Sequence, residues 1–362
     1  MHVLAAKGRS VTTASRYVKQ VHPFPPLDRD PKELVAALRD AAARARGRPV
    51  LFVTGDRSLR FLSRHRAAFE DLVDHDLADP EVIEDCLHKD RFSIAAERLQ
   101  LPVPRTWRVQ VAEDARRLVT TAPFPVFAKP VHREDWAKLP PGTVATVKGQ
   151  QVDTADELAR LFEILVRNDG LPVVVQSLVA GPDAEHLSVH AYVAPDGRLL
   201  GTFTGRKLRV WPPHAGVGTC VRSERLEEPI ALATRTLAAL RYVGYAILQF
   251  KRDAGTGKYL LIEINCRYGT WGELPLRCGC NLPAVAYATM TGQEPPAIEQ
   301  RVGPCWLDWQ RDFESWRSTY RPSGEWGWSA YLRSLLSVRC GAIFAFDDLG
   351  PWLYTLRHGR SE

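Results

Sequence analysis

The sequence lacks most of what would mark a membrane, secreted or nucleic-acid-binding protein. It has no run of about 18 apolar residues, so neither a membrane-spanning helix nor a membrane partner is expected. The opening MHVLAAKGRS holds too short an apolar run for a secretory leader, which makes a cytoplasmic location the expectation. The 7 cysteines are odd in number and irregularly spaced, which argues against a disulfide framework. Cys278-Gly-Cys280 is not a C-x-x-C motif, and no second Cys or His pair stands at zinc-ligand spacing. Buried free thiols are the expectation. Lys and Arg number 48 against 42 Asp and Glu, a net charge of +6, but they form no runs. They do not gather with aromatics on one element, which argues against a nucleic-acid partner. Internal repeats and low-complexity segments are also missing.

What is present is an ordinary 362-residue globular composition, 45% hydrophobic, with material for two or three domains. Residues 1–84 alternate strand and helix. HVLAA is a short strand candidate, and 31–46 is an amphipathic helix with Pro31 at its start and Gly47 at its end. PVLFVTGD (49–56) is a continuous apolar strand of the kind a buried parallel sheet needs, and SLRFLSRHRAAFEDL is again helical. A doubly wound sheet follows. Beyond it, 79–107 predicts two helices and FPVFAKPV (124–131) a strand ending in lysine. Residues 154–170 predict a helix, 171–181 a buried strand, 186–210 two strands and 229–244 a helix. The tail from about 301 is Trp-rich and expected to be helical.

YAILQFKRDAGTGKYLLIEINCR (245–267) reads as a β-hairpin around a Gly-containing loop. Its second strand, YLLIEINCRYG, starts as an ordinary buried strand. It then places Glu263, Asn265 and Arg267 at alternate positions, hence on one face. Burying such groups unpaired costs roughly 2–7 kcal/mol each. They are either solvated as a strand end with a Glu–Arg pair, or they hold something charged. A loop tip at Gly255–Gly257 places Gln249 opposite Glu263. Gln249, Glu263 and Asn265 then offer three hard oxygens, a set suited to Mg²⁺ completed by water and phosphate, with a guanidinium just beyond.

This hairpin resembles the metal-binding hairpin of the ATP-grasp superfamily, with Gln249 on the first strand and Glu263-x-Asn265-x-Arg267 on the second. The resemblance continues upstream in order. Lys89 in HKDRF and Lys129 in FAKP match lysines that reach ATP phosphates. VVVQSLVAG matches the hinge that reads adenine, through Gln176, Ser177, Leu178 and Val179, with Asp183 or Glu185 facing the ribose. TGRKLR offers Arg206 and Lys207 over the γ-phosphate. The segments LSVHAYVAPDGRLLGTFTGRKLRVWPPHAGVGT and CGAIFAFDDLGP resemble the predicted carboxylate–amine ligase branch of that superfamily.

The resemblance implies an α/β fold: a Rossmann-like parallel-sheet domain over 1–84, which lacks the usual first strand unit. A two-lobed ATP-grasp domain follows over 85–300, with a mobile small lobe at about 123–180, and then the 301–362 tail. It implies ATP and Mg²⁺ (or Mn²⁺) as cofactors. The implied activity is amide formation between a small-molecule carboxylate and an amine, of amino-acid or peptide character. Gln249, Glu263 and Asn265 are the implied metal ligands, and Arg267, Lys207 and Arg206 the catalytic cations. Gln249 stands where most members carry a carboxylate, and Pro140-Pro141-Gly142 stands where many carry a Gly-rich lid. Carboxylation, thioester formation or phosphorylation are alternative outcomes of the same fold, and a nucleotide-binding pseudoenzyme is another. A homodimer is an allowed assembly. Outside the motifs, Asp56 and Arg57 are candidates for the acceptor site, as are Trp271, Glu273 and Arg277, while His214 sits in a Pro/Gly loop after the basic segment.

Overall fold

Two sheets, one of seven strands and one of four among the described residues, each contribute side chains to the site. The structure is a computed structural model that describes residues 1–362 except 6–9, 46, 132, 147–148, 215 and 360–362. Strands are numbered in chain order. β1 (His2–Ala5) and β2 (Gln20–Pro23) form a parallel pair. β3 (Thr106–Val109), β4 (Val126–Pro130), β5 (Gln150–Val152) and β6 (Val173–Ser177) make an antiparallel sheet ordered β3-β6-β4-β5. β7 (His186–Val193), β8 (Leu199–Trp211), β9 (Val217–Ser223), β10 (Gly244–Arg252), β11 (Tyr259–Asn265), β12 (Cys305–Leu307) and β13 (Val338–Gly341) form the large sheet, ordered β11-β10-β7-β8-β9-β12-β13.

The helices start where the sequence signals them. Asp30 accepts from the Lys32 N–H at the head of helix 31–43, with Pro31 in its first turn. Thr154 accepts from the Glu157 N–H at the head of helix 155–167. Leu34 and Leu38 of the first of these helices, with Leu59, Phe61 and Phe69, pack into the same core as Leu187, Val189, Ala246, Leu248 and Phe250 of the large sheet. Segment 1–84 therefore shares its core with the large sheet.

Three expectations need correction. The strand expected over 49–56 is reduced to a single parallel bridge, Val50 to Asp74. Its partner supplies only the bonds from the Leu51 N–H to the Asp74 carbonyl and from the Asp74 N–H to the Pro49 carbonyl, and Asp56 already opens helix 56–64. The small lobe begins well before 123, because β3 at 106 pairs with β6 and helix 112–121 covers that sheet. The tail is not wholly helical: β12 and β13 extend the large sheet, β12 pairing with β9 through Cys305–Arg222 and Leu307–Cys220. The short strand CWL lies among tryptophans and carries too little period-two signal to be read locally.

The hairpin pairs Gln249 with Glu263 as expected, by a route the sequence does not display. Near the turn, Arg252 pairs with Tyr259 and Phe250 with Leu261. The register then shifts, and Gln249 pairs with Glu263, Leu248 with Ile264 and Ile247 with Asn265. Ile262 is the extra residue of a β-bulge. Without it, Gln249 would face Ile262 and Glu263 would turn toward the core side occupied by Leu261 and Ile264.

The tail is tied down by charge. Arg209 of β8 and Asp312 of helix 309–315 are both fully buried and bonded twice, Nε to Oδ1 at 2.9 Å and Nη2 to Oδ2 at 2.8 Å. Thr219 also donates to Asp312, and Arg209 stacks between Trp326 and Tyr331. Asp312→Ala strands the guanidinium and is expected to lower unfolding stability by about 3–5 kcal/mol. Urea denaturation checks this; an unchanged midpoint contradicts the role.

Candidate active site

Each sheet offers one polar face, and a cleft of about 420 Å³ lies between them. Lys129 of β4 and Gln176 of β6 line it from the small lobe, and Glu263 and Asn265 of β11 from the large sheet. Lys89, in the first turn of helix 89–98, and Asp56, Arg57 and Ser58 close it from the N-terminal side.

Glu263 is the centre of the charge distribution. Solvent reaches it through the cleft, although protein surrounds it. Desolvation pushes its carboxyl up. The Asn265 Nδ2 bond to its Oε1 (3.1 Å) and the charges of Lys129, Lys207 and Lys89 outweigh that and hold it below the usual range. Three lysines from three elements thus converge on one carboxylate. Burial lowers Lys129 to about 8, with Glu263 raising it and Lys89 lowering it further. Lys129 Nζ donates to Gln176 Oε1 at 2.7 Å, and Gln176 Nε2 donates to Thr106 Oγ1 at 3.1 Å. Lys89 Nζ lies 3.5 Å from the Val131 carbonyl.

The hairpin groups are held in a chain. Ser188 Oγ donates to Gln249 Oε1 at 2.5 Å. Arg267 Nε and Nη2 grip both oxygens of Asp56, at 2.6 and 3.2 Å, and Nη2 lies 3.4 Å from Asn265 Oδ1. Among the described residues no group of three His, Cys, Asp or Glu could hold a metal. The donor set is one carboxylate and two amide oxygens. It fits Mg²⁺ only with a further anion supplying ligands, which is how that ion binds at phosphates.

Of the two candidates on β8, only Lys207 has a charge that acts on Glu263. Adjacent residues on a strand face opposite sides. Lys207 acts electrostatically on Glu263, His186 and His190. Arg206 is bound to both oxygens of Glu224, at 2.7 and 3.1 Å, with Glu185 at 3.5 Å and the Ala184 carbonyl at 2.8 Å. Its catalytic role is corrected to a structural ion pair, and Glu185 is its partner.

Asp183 is likewise corrected. It is 3% exposed and accepts from the His214 N–H (2.9 Å) and from Tyr320 Oη of the tail (2.6 Å), so it braces a turn and does not face a ligand. His214 is part of that brace. In the hinge, the Ser177 N–H donates to the Arg105 carbonyl and the Leu178 N–H to the Pro125 carbonyl, and Val179 is buried. Trp271 packs in the core against His190, and Glu273 pairs with Arg277. All seven cysteines are free and buried.

Sequence reading missed Ser188 and Lys251. Both lie on the Gln249 face, Ser188 directly opposite Gln249, and their alternation along β7 and β10 was the available signal.

No family model matches the chain. It is similar to the D-aspartate ligase of Enterococcus faecium, 25% identical over 285 residues, which cover 74% of this chain and 66% of that enzyme. Among solved structures it resembles the biotin carboxylase–β,γ-ATP complex from Campylobacter jejuni, with a TM-score of 0.60 and 15% identity over 84% of this chain and 68% of that one. It also resembles the L-amino acid ligase from Bacillus licheniformis, with a TM-score of 0.55 and 15% identity over 80% and 68%. The structural likenesses share one fold.

The lysine cluster makes its own prediction. Glu263 props up the charged form of Lys129, so Glu263→Gln should move the Lys129 pKa below about 8. NMR titration of the lysine side chains reads this; an unmoved value contradicts the coupling.

Proposed function

We propose that the chain belongs to the ATP-grasp superfamily, whose fold it shares, and that it is an ATP-dependent ligase joining a carboxylate to an amine. One observation carries the reading: the charges of Lys129, Lys207 and Lys89 act on Glu263, which pairs across the hairpin with Gln249. Basic side chains grouped around one carboxylate suit a phosphate-bearing ligand, and the oxygens of Gln249, Glu263 and Asn265 suit a divalent ion beside it. ATP with Mg²⁺ supplies both. The similarity to D-aspartate ligase and to L-amino acid ligase supports amide formation as the outcome.

The substrate carboxylate is a poor electrophile, because its leaving group would be oxide. Transfer of the γ-phosphoryl group to a carboxylate oxygen releases ADP and creates an acyl phosphate. The amine nitrogen then attacks the carbonyl carbon, phosphate leaves with the bonding pair, and the nitrogen loses a proton. Mg²⁺, when bound, neutralises charge on the phosphates. Lys89 and Lys129 orient the phosphate chain, and Lys207 offsets charge on the transferring group. Arg267, clamped by Asp56, presents a fixed planar cation beside Asn265. The cleft between the two sheets limits access of water to the acyl phosphate.

Carboxylation is the second reading, favoured by the likeness to biotin carboxylase. ADP release from ATP, measured with a panel of amino acids, amines and bicarbonate, separates the two. Release that needs both an acid and an amine is the expected result. Release with bicarbonate alone favours carboxylation, and nucleotide binding without turnover on any member contradicts both. Glu263→Gln is expected to abolish Mg²⁺-dependent ADP formation with the fold retained by circular dichroism; retained turnover contradicts its role.

Lys129 sets a pH dependence. Bound phosphate favours its charged form, so ATP affinity is full below the free-enzyme pKa of about 8 and falls as pH rises through it. Lys129→Ala is expected to weaken ATP binding about tenfold to a hundredfold and to flatten that profile. Calorimetric titration at several pH values checks both; an unchanged slope in the variant contradicts the contact.

A further inference from the structure

The cleft has a second basic wall, which the phosphate reading leaves unused. Gly55, Asp56, Arg57, Ser58 and Arg60, at the start of helix 56–64, line it. The helix sequence DRSLRFLSR sets Arg57, Arg60 and Arg64 at i, i+3 and i+7, one stripe along the helix. Leu59, Phe61, Leu62 and Ser63 are buried on its other sides. Arg57 and Arg60 stand in the cleft wall, and Arg64, one turn further on, turns to Glu84.

The three arginines are not equally satisfied. Arg64 Nε donates to Glu84 Oε1 at 2.8 Å, and His88 Nε2 lies 2.6 Å from Glu84 Oε2. Arg60 Nε approaches that second oxygen only to 4.0 Å, outside hydrogen-bond range. One carboxylate is shared among three partners, and Arg60 is the one left short. Its Nε is enclosed and has no hydrogen-bond partner among the described residues, while the side chain as a whole keeps 29% exposure in the cleft wall. Arg57 is exposed and makes no hydrogen bond or ion pair among the described residues. Arg267 differs from both, because Asp56 grips it with two oxygens.

Two guanidiniums in one wall of an open cleft, with no carboxylate bonded to either, describe a receptor for an anion, and their planar forks match a carboxylate. We propose that Arg57 and Arg60 bind a second carboxylate of the substrate acid, so that the cleft takes a short dicarboxylic acid. That this acid is a substrate rests on the ligase reading above; the anion site itself does not. The position suits the task. Asp56 opens the helix and holds Arg267 beside Asn265, where the reacting carboxylate meets the phosphoryl group under that reading. Arg60 follows four residues later, on the same side of the helix and about 6 Å along its axis. One acid therefore reaches from Arg267 to Arg60 with a carboxylate at each end. An acid with a single carboxylate leaves both arginines without a partner. The lysines assigned to phosphate lie on other elements, Lys89 on helix 89–98 and Lys129 on β4, so mutation addresses the two anion sites separately.

Succinate is the probe, with propionate as the one-carboxylate control, each titrated calorimetrically into the nucleotide-free protein. Succinate is expected to bind saturably and propionate about tenfold more weakly or not at all. Arg60→Gln removes the charge and the fork, and should weaken succinate binding about tenfold or more while ATP affinity stays in place. Arg57→Gln should weaken succinate binding less, and it keeps the test open if the first variant fails to fold, since Arg57 makes no other polar contact. No saturable succinate binding, or binding unchanged in both variants, overturns the proposal. An equal loss of ATP affinity also overturns it and assigns the arginines to the triphosphate. With an acid that drives ADP release, Arg60→Gln should raise the KM for that acid about tenfold and leave the KM for ATP unmoved. If no acid drives release, the ligase reading fails while the succinate titration still decides the anion site.

Discussion

Everything proposed for the cleft depends on the charges gathered around one carboxylate. Glu263 lines a space walled by two sheets together with Lys89 and Lys129, and the charge of Lys207 on β8 also acts on it. Burial lowers Lys129 to about 8, Glu263 works against that and Lys89 adds to it. Arg267 is held in advance by its bidentate contact with Asp56.

The scaffold delivers this cluster through register. One inserted residue, Ile262, turns Glu263 from the core toward Gln249. The β8 register does the corresponding work for Lys207 by turning Arg206 the other way, onto Glu224. The tail then holds the arrangement from outside. Tyr320 bonds Asp183, and the buried Arg209–Asp312 pair fixes helix 309–315 against β8. The distant Trp-rich segment is thus coupled mechanically to the strand that carries Lys207.

Much of this was legible in the sequence because it is local. The alternation Glu263-x-Asn265-x-Arg267, the loop RDAGTG and the strand-terminal Lys129 each lie within a few residues, where strand periodicity suffices. The order of those motifs also identified the fold. What was not legible is non-local. Arg206 and Lys207 are neighbours with the same charge, and only pairing with β7 and β9 decides which one is bound by Glu224 and which one acts on Glu263. Asp183 looked like a ligand contact because it follows the hinge, but a tyrosine 137 residues away claims it. The 49–56 run shows the converse: an apolar segment with strand propensity remains a single bridge when its partner offers only two bonds.

The most direct test of the central claim is a crystal structure with a non-hydrolysable ATP analogue and Mn²⁺, located by its anomalous signal. The account predicts the metal on Glu263 and Gln249, with the triphosphate within hydrogen-bond reach of Lys89, Lys129 and Lys207. Metal and triphosphate bound elsewhere, for instance in the outer groove beside Trp107 and Arg108, would contradict it.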